Sequence, residues 1–112
     1  MKKRIKPDRA EVMRLAWAIR RKTPGLDFGA AEEAAWKVLR LHTALQRGSV
    51  RFSFRKENGE VREAVGTLRA DLFVQPPKPV ERTERLTLMR YYDVEKNAIR
   101  SFRADRIVQV AA

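Results

Sequence analysis

The period of the hydrophobic residues changes once along this chain, near Gly48, and that switch decides its fold class. Before it, apolar residues return every three or four positions; after it, every two. Val12, Leu15, Ala16 and Ile19 repeat at helical spacing, with Met13 and Trp17 beside them as an i, i+4 pair. Pro7-Asp8 opens this first helix, with Asp8 as N-cap and Glu11 three residues on in the capping-box position. Thr23-Pro24-Gly25 stops it, and Arg20-Arg21-Lys22 suits the negative end of its dipole. A second helix spans about Gly29 to Arg47 on a stripe of Ala31, Ala34, Ala35, Val38, Leu41 and Leu45, with Glu32 and Glu33 in its first turn and Gly48 ending it. Trp36 lies off that stripe, placed to cover the joint between helix and sheet.

From Val50 the pattern is that of half-buried strands. Val50, Phe52 and Phe54 alternate with Arg51, Ser53 and Arg55, and Lys56-Glu57-Asn58-Gly59 carries the Asn-Gly hairpin signal. Glu60 to Leu68 is the returning strand, where Gly66 marks a bulge or sharp bend. Pro76-Pro77-Lys78-Pro79 excludes a central strand, so residues 69–84 read as a long exposed loop. Strands resume at Leu86 to Val94, Ala98 to Arg103 and Ile107 to Val110, separated by a tight turn at Glu95-Lys96-Asn97 and a single 3₁₀ turn at Ala104-Asp105-Arg106. Five strands with a helical turn before the last describe an SH3-like barrel. The expected fold is α+β: a basic tail and two-helix cap over residues 1–48, then a five-stranded antiparallel SH3-like (Sm-like) β-barrel over residues 49–112, in one domain.

The chain also resembles a known family. Val61-Arg62-Glu63-Ala64-Val65-Gly66-Thr67-Leu68, Tyr91-Tyr92-Asp93-Val94-Glu95-Lys96 and Arg100-Ser101-Phe102-Arg103-Ala104-Asp105-Arg106-Ile107 are similar, in order and spacing, to segments of the small WYL-like bacterial proteins with an Sm-like SH3 barrel. The resemblance covers about residues 49–110. It implies that barrel fold, and relatives found in mobile elements and phages. The larger WYL domains, which sense nucleotide or nucleic-acid ligands, carry an Arg-x-Phe-Arg-x-x-Arg-Ile stretch matched here by Arg100, Phe102, Arg103, Arg106 and Ile107. The Trp-Tyr-Leu triplet is missing, and Ile99 stands where an aromatic precedes Arg100. The resemblance therefore implies the fold and leaves the ligand open.

Charge narrows the partners. Lys and Arg number 25 against 14 acidic residues, a net +11. Residues 1–22 concentrate the surplus, with 9 basic side chains and 2 acidic ones. Such a field attracts polyanions, nucleic acid foremost. There is no cysteine and one histidine, His42, so neither a disulfide nor an ordinary zinc site is available. Asp93, Glu95 and Asp105 would hold a metal only by unusual convergence. No targeting or membrane-spanning segment is visible, and a cysteine-free basic chain suits the cytoplasm.

Arg100, Arg103 and Arg106 with Tyr91 and Tyr92 are the first candidate site. Arginine's fork matches phosphate oxygens, and tyrosine offers a stacking face and a hydroxyl. Alternation puts Tyr91 and Tyr92 on opposite faces, so one of them belongs to the core. The competing reading is a structural network of these arginines with Asp93 and Asp105. A second candidate is the outward row Arg51, Ser53 and Arg55, with Arg62 beside it across the hairpin; the competing reading is a solvated face balanced by Glu57, Glu60 and Glu63. A third is the basic helix pair. Glu32 and Glu33 would repel phosphate where a recognition helix meets DNA, so a cap is preferred to a helix-turn-helix. Nothing supports catalysis: His42 has no acidic neighbour in its own helical turn, and no Gly-rich loop or nucleophile motif occurs. The expectation is a non-enzymatic, cofactor-free module that binds nucleic acid or a nucleotide. The alternative is a scaffold or self-associating protein that uses the proline-rich loop, Trp17 and Trp36.

Overall fold

The computed structural model of the chain describes residues 7–68 and 81–111. The basic tail over residues 1–6 and the proline-rich stretch at Pro76-Pro77-Lys78-Pro79 lie outside the described residues. Two helices come first, α1 (Arg9–Lys22) and α2 (Phe28–Arg47). The strands follow as β1 (Val50–Arg55), β2 (Val61–Thr67), β3 (Leu88–Asp93), β4 (Ala98–Arg103) and β5 (Ile107–Val110). A short helix α3 (Arg82–Leu86) leads into β3, and a 3₁₀ turn (Ala104–Arg106) joins β4 to β5.

Local chemistry sets these boundaries. Asp8 caps α1, its carboxylate accepting from the Ala10 N–H at 3.4 Å. Glu11 does not complete the capping box; its carboxylate pairs with Arg82 and ties α1 to α3. Helix α2 starts one residue earlier than expected because Asp27 caps it, accepting from the Ala30 N–H at 3.3 Å. That moves Glu32 and Glu33 beyond the first turn. Gly48 ends α2 in extended backbone rather than a left-handed turn.

The sheet runs β4-β3-β2-β1-β5, with every neighbouring pair antiparallel. In a flat sheet, strands three places apart lie roughly 14 Å from each other. Phe54 of β1 and Phe102 of β4 nevertheless stack at 4.7 Å between ring centroids, 8° from parallel. Only a sheet curled into a barrel allows that contact. Phe52 joins them, 4.9 Å from Tyr91 in an edge-on pair and 5.6 Å from Phe102. Each such aromatic pair adds roughly 0.5–1.5 kcal/mol beyond simple burial.

One hydrophobic core runs through helices and barrel: Leu15, Ile19, Val38, Leu41 and Leu45 pack with Phe52, Met89, Tyr91 and Phe102. Trp36 does not seal the joint, for it is 41 % exposed beneath Arg40. Lys37 spans the joint instead, donating to the Val108 carbonyl at 2.9 Å.

Gly66 has a different purpose from the bulge expected of it. The β1–β2 pairing runs unbroken from Val50–Gly66 to Arg55–Val61, and the ladder irregularity lies between Ser53 and Phe54 against β5. A Cβ at Gly66 would stand 2.7 Å from Cδ2 of Tyr91 and 3.1 Å from Cε1 of Phe52. The missing side chain is what lets the Tyr91 ring lie against β2.

Candidate functional site

The barrel opens between the tip of the β1–β2 hairpin and strand β4. A cleft of about 470 Å³ lies there, floored by Phe54, Tyr91 and Phe102. Six basic side chains line it, Arg55, Lys56, Arg62, Arg100, Arg103 and Arg106, against one acidic one, Glu57. Register explains the convergence. Cross-strand partners share a face, and the pairs Phe54–Arg62, Tyr91–Arg100 and Met89–Phe102 all point inward. The inner face is apolar through most of the barrel and turns basic at this mouth.

The arginines are not equivalent. Arg62 donates from Nη2 to Oδ2 of the fully buried Asp93 at 2.9 Å. Asp93 spends its other oxygen on the Glu95 and Lys96 N–H groups, each at 3.0 Å, and so builds the β3–β4 turn. Arg103 is bound three ways: to Asp105 Oδ1 and Thr23 Oγ1, both at 3.0 Å, and to the Lys22 carbonyl at 3.5 Å. Of the arginines expected to pair with Asp93 or Asp105, Arg103 is bound closely, to Asp105; the close partner of Asp93 is Arg62, which the sequence pattern sets in a different row. The remaining arginines are held more loosely. Arg100 reaches only 3.9 Å from Asp93, beyond hydrogen-bond range. Among the described residues Arg55 hydrogen-bonds only the Gly59 carbonyl, at 3.2 Å. Arg106 has no hydrogen-bond or ion-pair partner among the described residues.

Tyr91 adds a second kind of group. It is fully buried, lines the cleft, and its hydroxyl finds no hydrogen-bond partner among the described residues. Burial, then the Asp93 carboxylate, push its pKa above the usual phenol value, against the opposing pull of Arg62 and Arg100. The group is thus a neutral donor held among cations. A buried hydroxyl left unpaired costs about 1–3 kcal/mol.

The family model described as WYL_2, Sm-like SH3 beta-barrel fold, matches residues 38–108, well over half of the chain. The chain belongs to the WYL_2 family. No curated protein and no solved structure matches it significantly. The family assignment supports a binding module in general terms and an Sm-like barrel in particular. The matched span holds every residue lining the cleft of this WYL_2 barrel.

Several residues named from the sequence fall elsewhere. Tyr92 faces away from Tyr91 and pairs with Ile99 and Thr67. Arg51 lies on the outer face against Val65, beside Ser53, which is buried rather than outward in solvent. Arg62 was expected next to that row and lies on the opposite face, opposite Phe54. The hairpin loop is the cause. The Lys56 N–H donates to the Glu60 carbonyl at 2.7 Å and the Gly59 N–H to the Lys56 carbonyl at 2.9 Å. Gly59 takes the left-handed conformation at φ +88°. This keeps Glu60 in the turn and shifts the register by one residue, which flips every side chain of β2. Lys56 and Phe54, absent from the sequence-based candidates, join the cleft by the same register.

His42 is buried on α2 of this WYL_2 chain, away from the cleft. Its pKa is lowered to about 4, first by burial and then by Arg82 and Arg85, with Glu11 pulling the other way. The described residues hold no group of three or more His, Asp or Glu placed for a metal ion, and no helix among them is long and apolar enough to cross a membrane.

Proposed function

We propose that this chain is a non-catalytic binding module whose cleft holds a phosphate-bearing ligand, nucleic acid or a nucleotide. The observation that carries the reading is the division of labour among the cleft residues. Arg62 and Arg103 are held by short hydrogen bonds to Asp93 and Asp105, while Arg100, in a looser 3.9 Å ion pair with Asp93, and Arg106 converge on the same opening, beside a Tyr91 hydroxyl with no hydrogen-bond partner among the described residues. Guanidinium forks suit phosphate oxygens, and the aromatic floor suits a base or sugar. The volume lies within the roughly 300–1,000 Å³ of small-molecule sites. The overall charge of +11 speeds encounter with a polyanion. A cytoplasmic setting and an origin in a mobile element or phage belong to the same proposal, resting on the cysteine-free composition and the sequence resemblance.

Fluorescence anisotropy of a labelled single-stranded oligonucleotide at low salt tests this. Binding that weakens with salt and falls at least tenfold in an Arg100→Ala/Arg106→Ala variant is expected. No binding of DNA, RNA or nucleotide at low salt would remove the reading.

A second reading, protein–protein contact through the helical cap, draws on the exposure of Trp17 (48 %) and Trp36 (41 %). Trp17 lies 4.5 Å from Phe28 with Arg20 over its ring. Sedimentation at rising concentration, insensitive to nuclease and salt, would favour self-association.

A further inference from the structure

A second hollow of about 270 Å³ adjoins the cleft, and the two share Leu88 and Arg103 as walls. Its far side is the end of α1, at Ile19, Lys22 and Thr23. Those residues precede the family-matched span, so this compartment is made where the helical cap meets the barrel. Resting on the cleft reading above, we infer that the ligand is a strand segment of at least two nucleotides, with the phosphate in the cleft and the next base past Arg103 in the hollow.

Three features of the boundary argue for this. Arg103 is fixed by Asp105, Thr23 and the Lys22 carbonyl, so its guanidinium plane stands ready rather than mobile. A fixed guanidinium plane is a good surface for a base to stack on. Leu88 is 47 % exposed at the junction, an apolar surface that a base would cover. The charges around the hollow are already paired, Asp105 with Arg103 and Lys22 with Glu84, which suits an uncharged base better than a second phosphate. Size agrees: the hollow falls just below the roughly 300 Å³ low end of sites for whole small molecules, so it takes part of a ligand and not a separate one.

The test measures affinity for thymidine 5′-monophosphate, the 5′-phosphorylated dinucleotide and the tetranucleotide, with the uridine series alongside to separate DNA from RNA. The dinucleotide should bind at least tenfold tighter than the mononucleotide. Added negative charge alone raises affinity with length on any basic protein, so a steric variant is needed. Thr23→Phe fills the hollow without changing charge and should reduce the dinucleotide gain to within threefold, leaving the mononucleotide unaffected. Thr23→Val removes one of the three contacts that hold Arg103 while keeping the space, and should lose part of the gain. Thermal melts of both variants establish that they fold. A dinucleotide gain that survives Thr23→Phe, or affinity independent of length, overturns the two-compartment site while the cleft reading stands. No binding of any ligand overturns both.

Discussion

Arg62 and Asp93 form a 2.9 Å ion pair in which the carboxylate is wholly buried and the guanidinium looks into the cleft. The pair joins β2 to the end of β3. It leaves Asp93 with one partner that can neutralise it closely and a second, Arg100, at 3.9 Å. Removing one partner of a buried pair costs about 3–5 kcal/mol because the remaining charge is stranded. Arg62→Ala is therefore expected to lower unfolding stability by about 3 kcal/mol in denaturant titration. Arg106→Ala, with no partner to lose, should change it by less than about 0.5 kcal/mol. Equal effects of the two would contradict the division between structural and available arginines.

Tyr91→Phe separates stability from binding. It removes a hydroxyl that is buried without a partner, so stability should hold or rise by about 1 kcal/mol. Ligand affinity should fall, because the same hydroxyl is the neutral donor in the cleft. A variant that loses stability and keeps affinity would show the hydroxyl to be structural.

Gly66→Ala tests the packing of that ring. The added methyl would overlap Tyr91, and overpacking of this kind costs about 1–3 kcal/mol. Thermal denaturation measures it; an unchanged melting temperature would mean the ring shifts freely.

Much of this architecture was legible in the sequence. The change from a 3.6-residue to a two-residue period located α1, α2 and all five strands, because each of these has one buried face; α3 (Arg82–Leu86) was missed, its residues having been divided between a loop to 84 and a strand from Leu86. The cleft was half legible. Arg100, Arg103 and Arg106 could be singled out, and the opposition of Tyr91 to Tyr92 follows from alternation alone. Their surroundings could not be read. Arg103 is fixed not only by nearby Asp105 but by Thr23, 80 residues away in sequence. Arg62's face depends on a single residue of hairpin register, fixed by the φ of Gly59 and the Lys56–Glu60 hydrogen bond. Three-residue hairpin loops and two-residue ones share the Asn-Gly signal, so composition does not distinguish them.

Stability should depend on pH through His42. Its folded pKa of about 4 lies below the usual 6.5 because burial and Arg82 and Arg85 favour the neutral ring. The stability this represents is fully present above pH 6.5. It is lost as pH falls from 6.5 to 4 and levels off below, a total of about 3 kcal/mol. Urea titrations across that range should show the decline, and His42→Gln should flatten it. An identical slope in the variant would assign the loss to carboxylates.

Salt dependence counts the phosphate contacts. If Arg55, Lys56, Arg100 and Arg106 each meet a phosphate, log affinity should fall against log salt with a slope of roughly −3 for a single strand. Arg106→Ala should make it shallower by about 0.7. An unchanged slope would place Arg106 outside the contact.

A residue-resolved NMR titration with a short single-stranded oligonucleotide at low salt addresses the cleft most directly. Amide shifts should gather at Arg55, Lys56, Arg62, Tyr91, Arg100 to Phe102 and Arg106, and vanish in the Arg100→Ala/Arg106→Ala variant. Shifts confined to α1 and α2, or none at all, would contradict a ligand site at the mouth of the barrel.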